Sequence, residues 1–343
     1  MELSAFKEKL RASDISGWYI FAGEEDYLKK HYLSQLRGAI ISDDDPFRLF
    51  NHVVYDGQNI DYASLAEAIK APPMMGEYKL IEWKFASFEN MKESEKKALE
   101  SIFSLKEEYP YAVFAIMTTE DGFDTGTPNR RSKLYNFFSE AFDIISFPKS
   151  TDSQLILWLK RHFDAEGIGA DAETLSAMLF RVGRSMEVLN SEVEKLASFA
   201  KANGKTKIDF TDVEEVTCAT LECDAFALSN AVTEKNLGKA LAALADLKAR
   251  RIEAYTVIAM LERSYAELLS VALLLSEGKG SRDIETLLKL HPFKAKLAIG
   301  AAKRLGTKKI SLSLDAIRKL DAASKSGGVG GYLAVEMFIT QNL

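Results

Sequence analysis

Short apolar runs and longer amphipathic segments alternate along the first 150 residues of the chain. The apolar runs are rich in β-branched and aromatic residues, and each has the length of a buried strand. They predict five strands, at residues 17–22, 50–55, 78–83, 112–117 and 142–147. The amphipathic segments predict helices at 25–41, 62–71, 90–105 and 130–139. Strands that alternate with helices in this way indicate a parallel α/β sheet with helices on both faces.

After residue 150 the apolar positions recur every three or four residues, which is typical of helices. The clearest such rows are Met186, Leu189, Val193, Leu196; Leu237, Leu241, Leu244; and Val257, Leu261, Tyr265, Leu268. Capping boxes at 151–154 and 211–214 predict two helix starts. No strand is predicted here. The change of pattern predicts an α/β domain at 1–149, a small helical domain at 150–216 and a larger helical domain at 217–343.

Composition narrows the class of protein. Hydrophobic residues make up 47% of the 343 residues and charged residues 27%, which is ordinary for a globular protein of two or three domains. The two cysteines, Cys218 and Cys223, are too few for a disulfide framework, which indicates a reducing compartment. Neither a signal peptide nor an apolar window long enough to span a bilayer is present, so a cytoplasmic protein without membrane contact is expected.

A nucleotide-binding loop would require Gly-x-x-x-x-Gly-Lys-Ser/Thr directly after a strand. The Gly-Lys-Thr at 204–206 follows a helical segment, and Phe199 stands where the first glycine is needed. After the first predicted strand, Glu24, Glu25 and Asp26 would repel phosphate. These acids fit the first turn of a helix better than a metal or general-base cluster. No catalytic residue, cofactor or metal site is therefore predicted.

Five stretches, taken in order, resemble one known family. They are Phe-Ala-Gly-Glu-Glu-Asp-Tyr-Leu at 21–28, Ala-Pro-Pro-Met-Met-Gly at 71–76 before the strand residues 79–81, Leu-Asn-Ser-Glu-Val-Glu-Lys-Leu at 189–196, Phe-Ala-Leu-Ser-Asn-Ala-Val at 226–232, and the pattern at 321–327. The chain thus resembles the delta subunit of the bacterial DNA polymerase III clamp loader. The resemblance implies an AAA+-like domain with a RecA-type parallel sheet, a helical lid and an all-α collar.

The resemblance also implies a function. A delta subunit binds the ring-shaped sliding clamp (beta) and favours its open form for loading onto primed DNA, without hydrolysing ATP. It is a non-catalytic member of a holoenzyme that as a whole has nucleotidyltransferase activity. Its implied partners are the clamp, the gamma/tau and delta prime subunits of a heteropentamer, and primer–template DNA through the complex. The alternative is an AAA+-type ATPase of DNA replication or repair.

By this resemblance the clamp-binding residues are Pro72, Pro73, Met74, Met75 and Gly76. The prolines end a helix and hold the chain extended, and Gly76 permits a tight turn into the next strand. Two adjacent methionines cannot both face one core, so at least one is expected to project outward. The residues alone favour a role for both methionines in capping the edge of the sheet, and the resemblance reverses this preference. The family usually has Leu-Phe or Phe-Phe at these two positions, so the pair Met-Met is a departure.

A basic region stands out in a chain whose net charge is −6. Residues 279–325 contain twelve Lys or Arg and four acids, a local excess of +8. The candidate contact residues are Lys303, Arg304, Lys308, Lys309 and Lys325. Three interpretations are open: a solvated helix face, contact with phosphates near a primer–template junction, and contact with acidic neighbouring subunits.

Overall fold

A computed structural model describes residues 1–42, 44–127, 129–328 and 330–342 of the chain. The chain divides into two compact units, Met1–Ser150 and Thr151–Leu343. Within the described residues, no helix has the length and apolar character needed to cross a membrane.

The first unit is a five-stranded parallel sheet with helices on both faces. Its strands are β1 Trp18–Ala22, β2 His52–Asp56, β3 Lys79–Ala86, β4 Ala112–Thr118 and β7 Asp143–Ser146, with a small hairpin of β5 Gly126–Thr127 and β6 Arg130–Arg131. Its helices are α1 Leu3–Arg11, α2 Asp26–Ile40, α3 Arg48–Asn51, α4 Tyr62–Lys70, α5 Glu93–Phe103, α6 Leu105–Glu108 and α7 Lys133–Phe138. The strand order is β2-β3-β4-β1-β7, and every pair is parallel. The predicted α/β class is confirmed.

The sheet separates two apolar cores because successive side chains of a strand point to opposite faces. Trp18 and Ile20 of β1 lie in one core, whereas Tyr19 and Phe21 lie in the other. All residues of β1 and of β4 are buried. This complete burial explains why these strands appear in the sequence as continuous apolar runs.

A buried carboxylate ties α2 to the sheet. Glu82 of β3 is fully buried, and Arg37 of α2 donates to both of its oxygens, at 2.6 and 2.9 Å. The Nε2 atom of His52 lies 3.1 Å and the Nζ atom of Lys84 lies 3.4 Å from the same carboxylate. One negative charge thus faces three basic side chains on one face of the sheet.

Two of the predicted segments are wrong in part. Residues 50 and 51 belong to the one-turn helix α3, so the second strand begins at His52. The segment 130–139 starts as strand β6, and its helix begins only at Lys133, because the Ser132 hydroxyl accepts from the Tyr135 amide at 2.9 Å and caps it. Hydroxyl capping of this kind defines the first turn of a helix.

The second unit is helical, as predicted. Its helices are α8 Asp152–Ala165, α9 Ala172–Val182, α10 Met186–Ala202, α11 Phe210–Val216, α12 Leu221–Thr233, α13 Leu237–Ala249, α14 Ala254–Ser276, α15 Ser281–Leu288, α16 Pro292–Lys325 and α17 Gly331–Asn342. The capping box at Thr151 and Gln154 is confirmed. The second one begins two residues earlier than predicted, because the Asp209 carboxylate accepts from the Asp212 amide at 3.1 Å and Asp212 reaches back to the Asp209 amide.

Helices α12 to α17 share one apolar core that includes Val257, Leu261 and Tyr265. Within the predicted row on α13, Leu244 is buried, but Leu237 and Leu241 are about half exposed. Helix α16 breaks at Gly306, whose φ of 72° lies in the left-handed region. Glycine adopts this conformation without a steric penalty. The division of this unit at residue 216 stays a prediction.

Candidate functional site

The loop of residues 71–78 joins α4 to β3 and contains all five predicted clamp-binding residues. Its first residues are fixed because the Tyr111 hydroxyl donates to the Lys70 carbonyl and the Lys79 ammonium donates to the Ala71 carbonyl at 3.4 Å. Its end is fixed because the Lys79 amide donates to the Tyr111 carbonyl at 2.9 Å. Both ends of the 71–78 loop are therefore anchored beside the first residues of β3 and β4.

A buried amide side chain holds the middle of the loop. Asn51, at the end of α3, is 3% exposed. Its side chain accepts from the Met74 amide at 2.7 Å and donates to the Met74 carbonyl at 2.8 Å, which satisfies both backbone groups of Met74. Asn51 was not among the predicted site residues, because its partner is 23 residues away and 50–55 has the composition of a strand. The only feature of the sequence that could have pointed to Asn51 is its position, as an amide residue directly before the strand.

Both methionines of the loop face solvent, Met74 being 44% and Met75 88% exposed. The left-handed residue of the loop is Met75, whose φ is 58°, and Gly76 beside it does not have a positive φ. A left-handed conformation costs a non-glycine residue about 1–2 kcal/mol. Local strain of this kind clusters at ligand-binding and switch regions. An exposed apolar side chain on a strained backbone thus makes Met75 the most unusual residue of the loop.

The position of a nucleotide-binding loop, after β1, is closed by backbone contacts. The Phe147 amide donates to the Ala22 carbonyl at 2.7 Å, and the Glu25 amide donates to the Phe147 carbonyl at 3.0 Å. Gly23, with a φ of 118°, passes so close that an added Cβ would lie 2.5 Å from the Phe147 oxygen. In open α/β sheets, ligands bind outside the carboxyl ends of the strands. Here the backbone of Phe147 lies directly against Gly23, where a nucleotide-binding loop would begin.

Lys29 closes the same region from α2. Its side chain is fully buried, and its ammonium group donates to the carbonyls of Gly23 and Thr118 at 2.6 and 2.7 Å. The Asp26 carboxylate lies 2.8 Å away. Buried charges persist only where they are paired and hydrogen-bonded. The cation therefore binds the chain's own carbonyl groups at the ends of β1 and β4.

The three acids after β1 do not form a metal site. Asp26 lies in the first turn of α2, Glu24 is 3.4 Å from Lys149, and burial raises the pKa of Glu25. Within the described residues, no group of three or more histidine, cysteine or acidic side chains could hold a metal ion. The last residues of β3, 84–86, are Lys-Phe-Ala and provide no carboxylate pair for magnesium.

The cysteines lie in different environments. Cys218 is exposed, and its sulfur is 3.9 Å from the Lys195 ammonium. Cys223 is buried, and this burial raises the pKa of its thiol to about 11. A thiol with a raised pKa is a poor nucleophile and a poor metal ligand at neutral pH.

The basic region separates into paired and unpaired residues. Lys294 does not contribute to a basic surface, because it is buried between Glu222 and Glu267, at 3.1 and 2.9 Å. Of the five candidates, Arg304 lies 3.9 Å from Glu234 and Lys325 lies 2.5 Å from Asp321. The other three have no acidic side chain within 4.0 Å in the part of the chain that the structure describes: Lys303, Lys308, Lys309.

Four of these candidates flank the break in α16. Lys303 and Arg304 precede Gly306, and Lys308 and Lys309 follow it. Lys303, Arg304 and Lys308 are exposed, and Lys309 is partly exposed. Four cationic side chains thus lie within one short stretch of α16 around the break, whereas Lys325 lies at the end of that helix.

Comparison with known proteins identifies the family. The model "DNA polymerase III, delta subunit" matches residues 19–122, and the model of its C-terminal domain matches residues 222–342. The chain belongs to the DNA polymerase III delta subunit family. The resemblance found in the sequence is thereby confirmed. A delta subunit is an accessory subunit of the clamp loader and not a catalytic one.

A relative and a solved structure, both from Bacillus subtilis, illustrate the relationship. The DNA polymerase III subunit delta of strain 168 is 24% identical over 342 residues, which cover 98% of this chain and 95% of the relative. The solved structure of the DNA clamp loader delta protein (YqeN) has a TM-score of 0.57 and 22% identity, and 98% of each chain is covered. The likeness in structure confirms the predicted fold class, with its parallel sheet and its helical C-terminal part.

Proposed function

We propose that this delta-family chain binds the sliding clamp through Pro72, Pro73, Met74, Met75 and Gly76 and favours the open form of the clamp. The observation that carries the proposal is Met75, which is 88% exposed and has a left-handed backbone. An apolar side chain in such a position is unfavourable in the free protein. Burial in an apolar pocket of a partner would recover that free energy.

The 71–78 loop is suited to binding because it is fixed before the partner arrives. Asn51 fixes the backbone of Met74, and Tyr111 and Lys79 fix the ends of the loop. A preorganised loop loses little conformational entropy on association. Ring opening follows from differential binding, since a ligand shifts an equilibrium only toward the state that it binds better.

Nucleotide-dependent control would come from other subunits, gamma/tau and delta prime, in the heteropentamer. The alternative, an AAA+-type ATPase, is disfavoured because Lys29 and the backbone of 147 fill the region after β1. Titration of the isolated chain with ATP separates the two proposals. The clamp-binding proposal expects no ATP binding at millimolar concentration, whereas saturable binding would favour the ATPase.

Replacement of Met75 by asparagine tests the proposal because stability and binding should change in opposite directions. Asparagine tolerates the left-handed conformation, so urea unfolding should show a free energy of unfolding that is unchanged or higher by about 0.5 kcal/mol. Affinity for the purified sliding clamp, measured by surface plasmon resonance, should fall about tenfold through loss of one apolar contact.

The matched control for this experiment is Leu157→Asn, at a half-exposed leucine of α8. That substitution should leave clamp affinity within twofold of the parent. Unchanged clamp affinity in Met75→Asn, combined with lower stability, would show that Met75 packs on its own protein and would contradict the proposal.

We also propose that Lys303, Arg304, Lys308, Lys309 and Lys325 contact primer–template DNA or a neighbouring subunit in the assembled complex. The triple substitution Lys303→Glu/Lys308→Glu/Lys309→Glu distinguishes these partners. If the partner is DNA, the complex should still assemble, as judged by size-exclusion chromatography. The slope of the logarithm of the DNA-binding constant against the logarithm of the salt concentration should become less negative by about 0.9 for each lost phosphate contact.

If the partner is a subunit, assembly itself should be impaired. The control substitution is Lys160→Glu on α8, whose lysine pairs with Asp164. An effect of that control equal to the effect of the triple substitution would point to net charge rather than to these positions. Normal assembly together with unchanged DNA binding would support the solvated-face interpretation.

A further inference from the structure

Two large apolar side chains of α3 face solvent, and the residue that follows them, Asn51, contacts the 71–78 loop. Among the large apolar side chains that the structure describes, Leu49 at 90% and Met75 at 88% are the most exposed. Phe50 is 60% exposed. We call Leu49 and Phe50 the α3 patch. The two most exposed apolar side chains thus come from two segments that are 26 positions apart in sequence.

Asn51 connects the α3 patch to the loop. It directly follows Phe50, so their Cα atoms are about 3.8 Å apart, and its side chain forms the two hydrogen bonds to Met74. A Cβ added to Gly76 would lie 3.5 Å from the Asn51 side-chain nitrogen. The end of α3 is therefore packed against the middle of the 71–78 loop.

The short helix itself is held in place. The Asp45 carboxylate accepts from the Phe47 amide at 2.8 Å, and the Phe47 carbonyl accepts from the amides of Phe50 and Asn51 at 2.8 and 3.0 Å. A one-turn helix has little stability of its own. These bonds, together with the anchor of Asn51 on Met74, keep the α3 patch on the surface.

The exposed apolar area of the 71–78 loop is too small to form a specific protein interface by itself. A specific protein interface buries more than about 1,000 Å² in total, or about 500 Å² on each partner. The exposed parts of two methionine side chains supply only a fraction of that area. Exposed apolar residues that adjoin an anchor are typical of the surroundings of a binding hot spot.

We propose that the α3 patch and the two methionines form one continuous apolar surface that docks on the sliding clamp. This inference rests on the proposed function, since the clamp is the partner of the 71–78 loop. Asn51 acts as a positioning residue that keeps the two parts of the surface in a fixed relation. The clamp surface that receives them is apolar beyond the pocket for the methionines.

The test uses the full chain and the purified sliding clamp encoded by the same genome. The variant Leu49→Ser/Phe50→Ser should fold normally, because both side chains are mostly exposed, and its clamp Kd should rise at least tenfold. A thermal melt checks folding, and Leu49→Lys alone provides a second, milder variant that should raise the Kd about threefold or more. The matched control is Leu287→Ser/Leu312→Ser, whose leucines are 58% and 61% exposed.

Four outcomes separate this inference from the proposed function. Weaker binding by both α3 variants with an unaffected control supports the inference. If the α3 variants bind the clamp within twofold of the parent while Met74→Ala/Met75→Ala binds poorly, the inference is overturned and the proposed function stays intact. No binding by the parent overturns both. Loss of self-association in the α3 variant, with unchanged clamp affinity, overturns the inference and assigns the patch to contact between copies of the chain.

Discussion

Replacement of Glu82 by glutamine is expected to lower the free energy of unfolding at pH 7 by about 3 kcal/mol. Burial by itself raises the pKa of this carboxyl, but the interactions with His52 and Arg37 outweigh burial and hold the pKa at about 2, below the ordinary value of 4.5. Lowering the pKa from 4.5 to about 2 corresponds to about 3 kcal/mol of stability at neutral pH. Loss of the carboxylate would also remove the negative charge that Arg37 and Lys84 face.

The contribution of Glu82 to stability depends on pH. Because the pKa of Glu82 is lower in the folded protein, its contribution is complete above about pH 4.5 and is lost as the pH falls toward 2. Urea unfolding at several pH values should therefore show that parent and Glu82→Gln converge between pH 4.5 and pH 2. The control Glu67→Gln removes an exposed ion pair with Lys70 and should change stability by less than about 0.5 kcal/mol. A pH-independent difference would contradict the prediction.

The sequence was sufficient to predict the architecture because its strongest signals are local. The strands β1 and β4 are buried on both faces, so their apolar runs have no helical period. The capping box at Thr151 likewise depends on residues only three positions apart. Local patterns of this kind can be recognised without knowledge of tertiary contacts, and the predicted fold class follows from them.

The candidate site was predictable only in part, since its geometry depends on distant residues. The exposure of a methionine could be inferred from the pair of adjacent methionines. The hydrogen bonds between the Asn51 side chain and the Met74 backbone could not be inferred, because they join positions 23 residues apart. The conformation of Met75 was also unpredictable, because glycine is the residue expected at a positive φ and Gly76 is its neighbour.

Long-range pairing also explains why charges were difficult to assign. Lys294 and Lys303 both belong to the basic region of the sequence, but Lys294 is buried between two glutamates from α12 and α14. Lys29 appears in the sequence as an ordinary helix residue, although it binds carbonyl groups at the ends of two strands. In both cases the partners are fixed by packing of separate elements, and no spacing in the sequence reveals them.

The largest effect on binding is expected from Met74→Ala/Met75→Ala, which should weaken the clamp complex by at least a hundredfold. Burial of a methionine side chain contributes about 1.5–3 kcal/mol, so the pair contributes about 3–6 kcal/mol before entropic losses. Flexible methionine side chains lose more rotamer entropy than phenylalanine on binding, so the lower end of this range is the appropriate one. About 3 kcal/mol corresponds to a factor of more than a hundred in Kd.

Calorimetry or surface plasmon resonance with the purified clamp measures this change. The double control Leu157→Ala/Val188→Ala removes two half-exposed apolar side chains from α8 and α10 and should leave the Kd unchanged. Since Met74 and Met75 are exposed, the double variant should melt within a few degrees of the parent, which separates lost binding from lost folding. A Kd within twofold of the parent would exclude the methionines as the anchor. A hundredfold loss with normal melting would show that two flexible side chains can replace the bulkier pair that the family usually has at these positions.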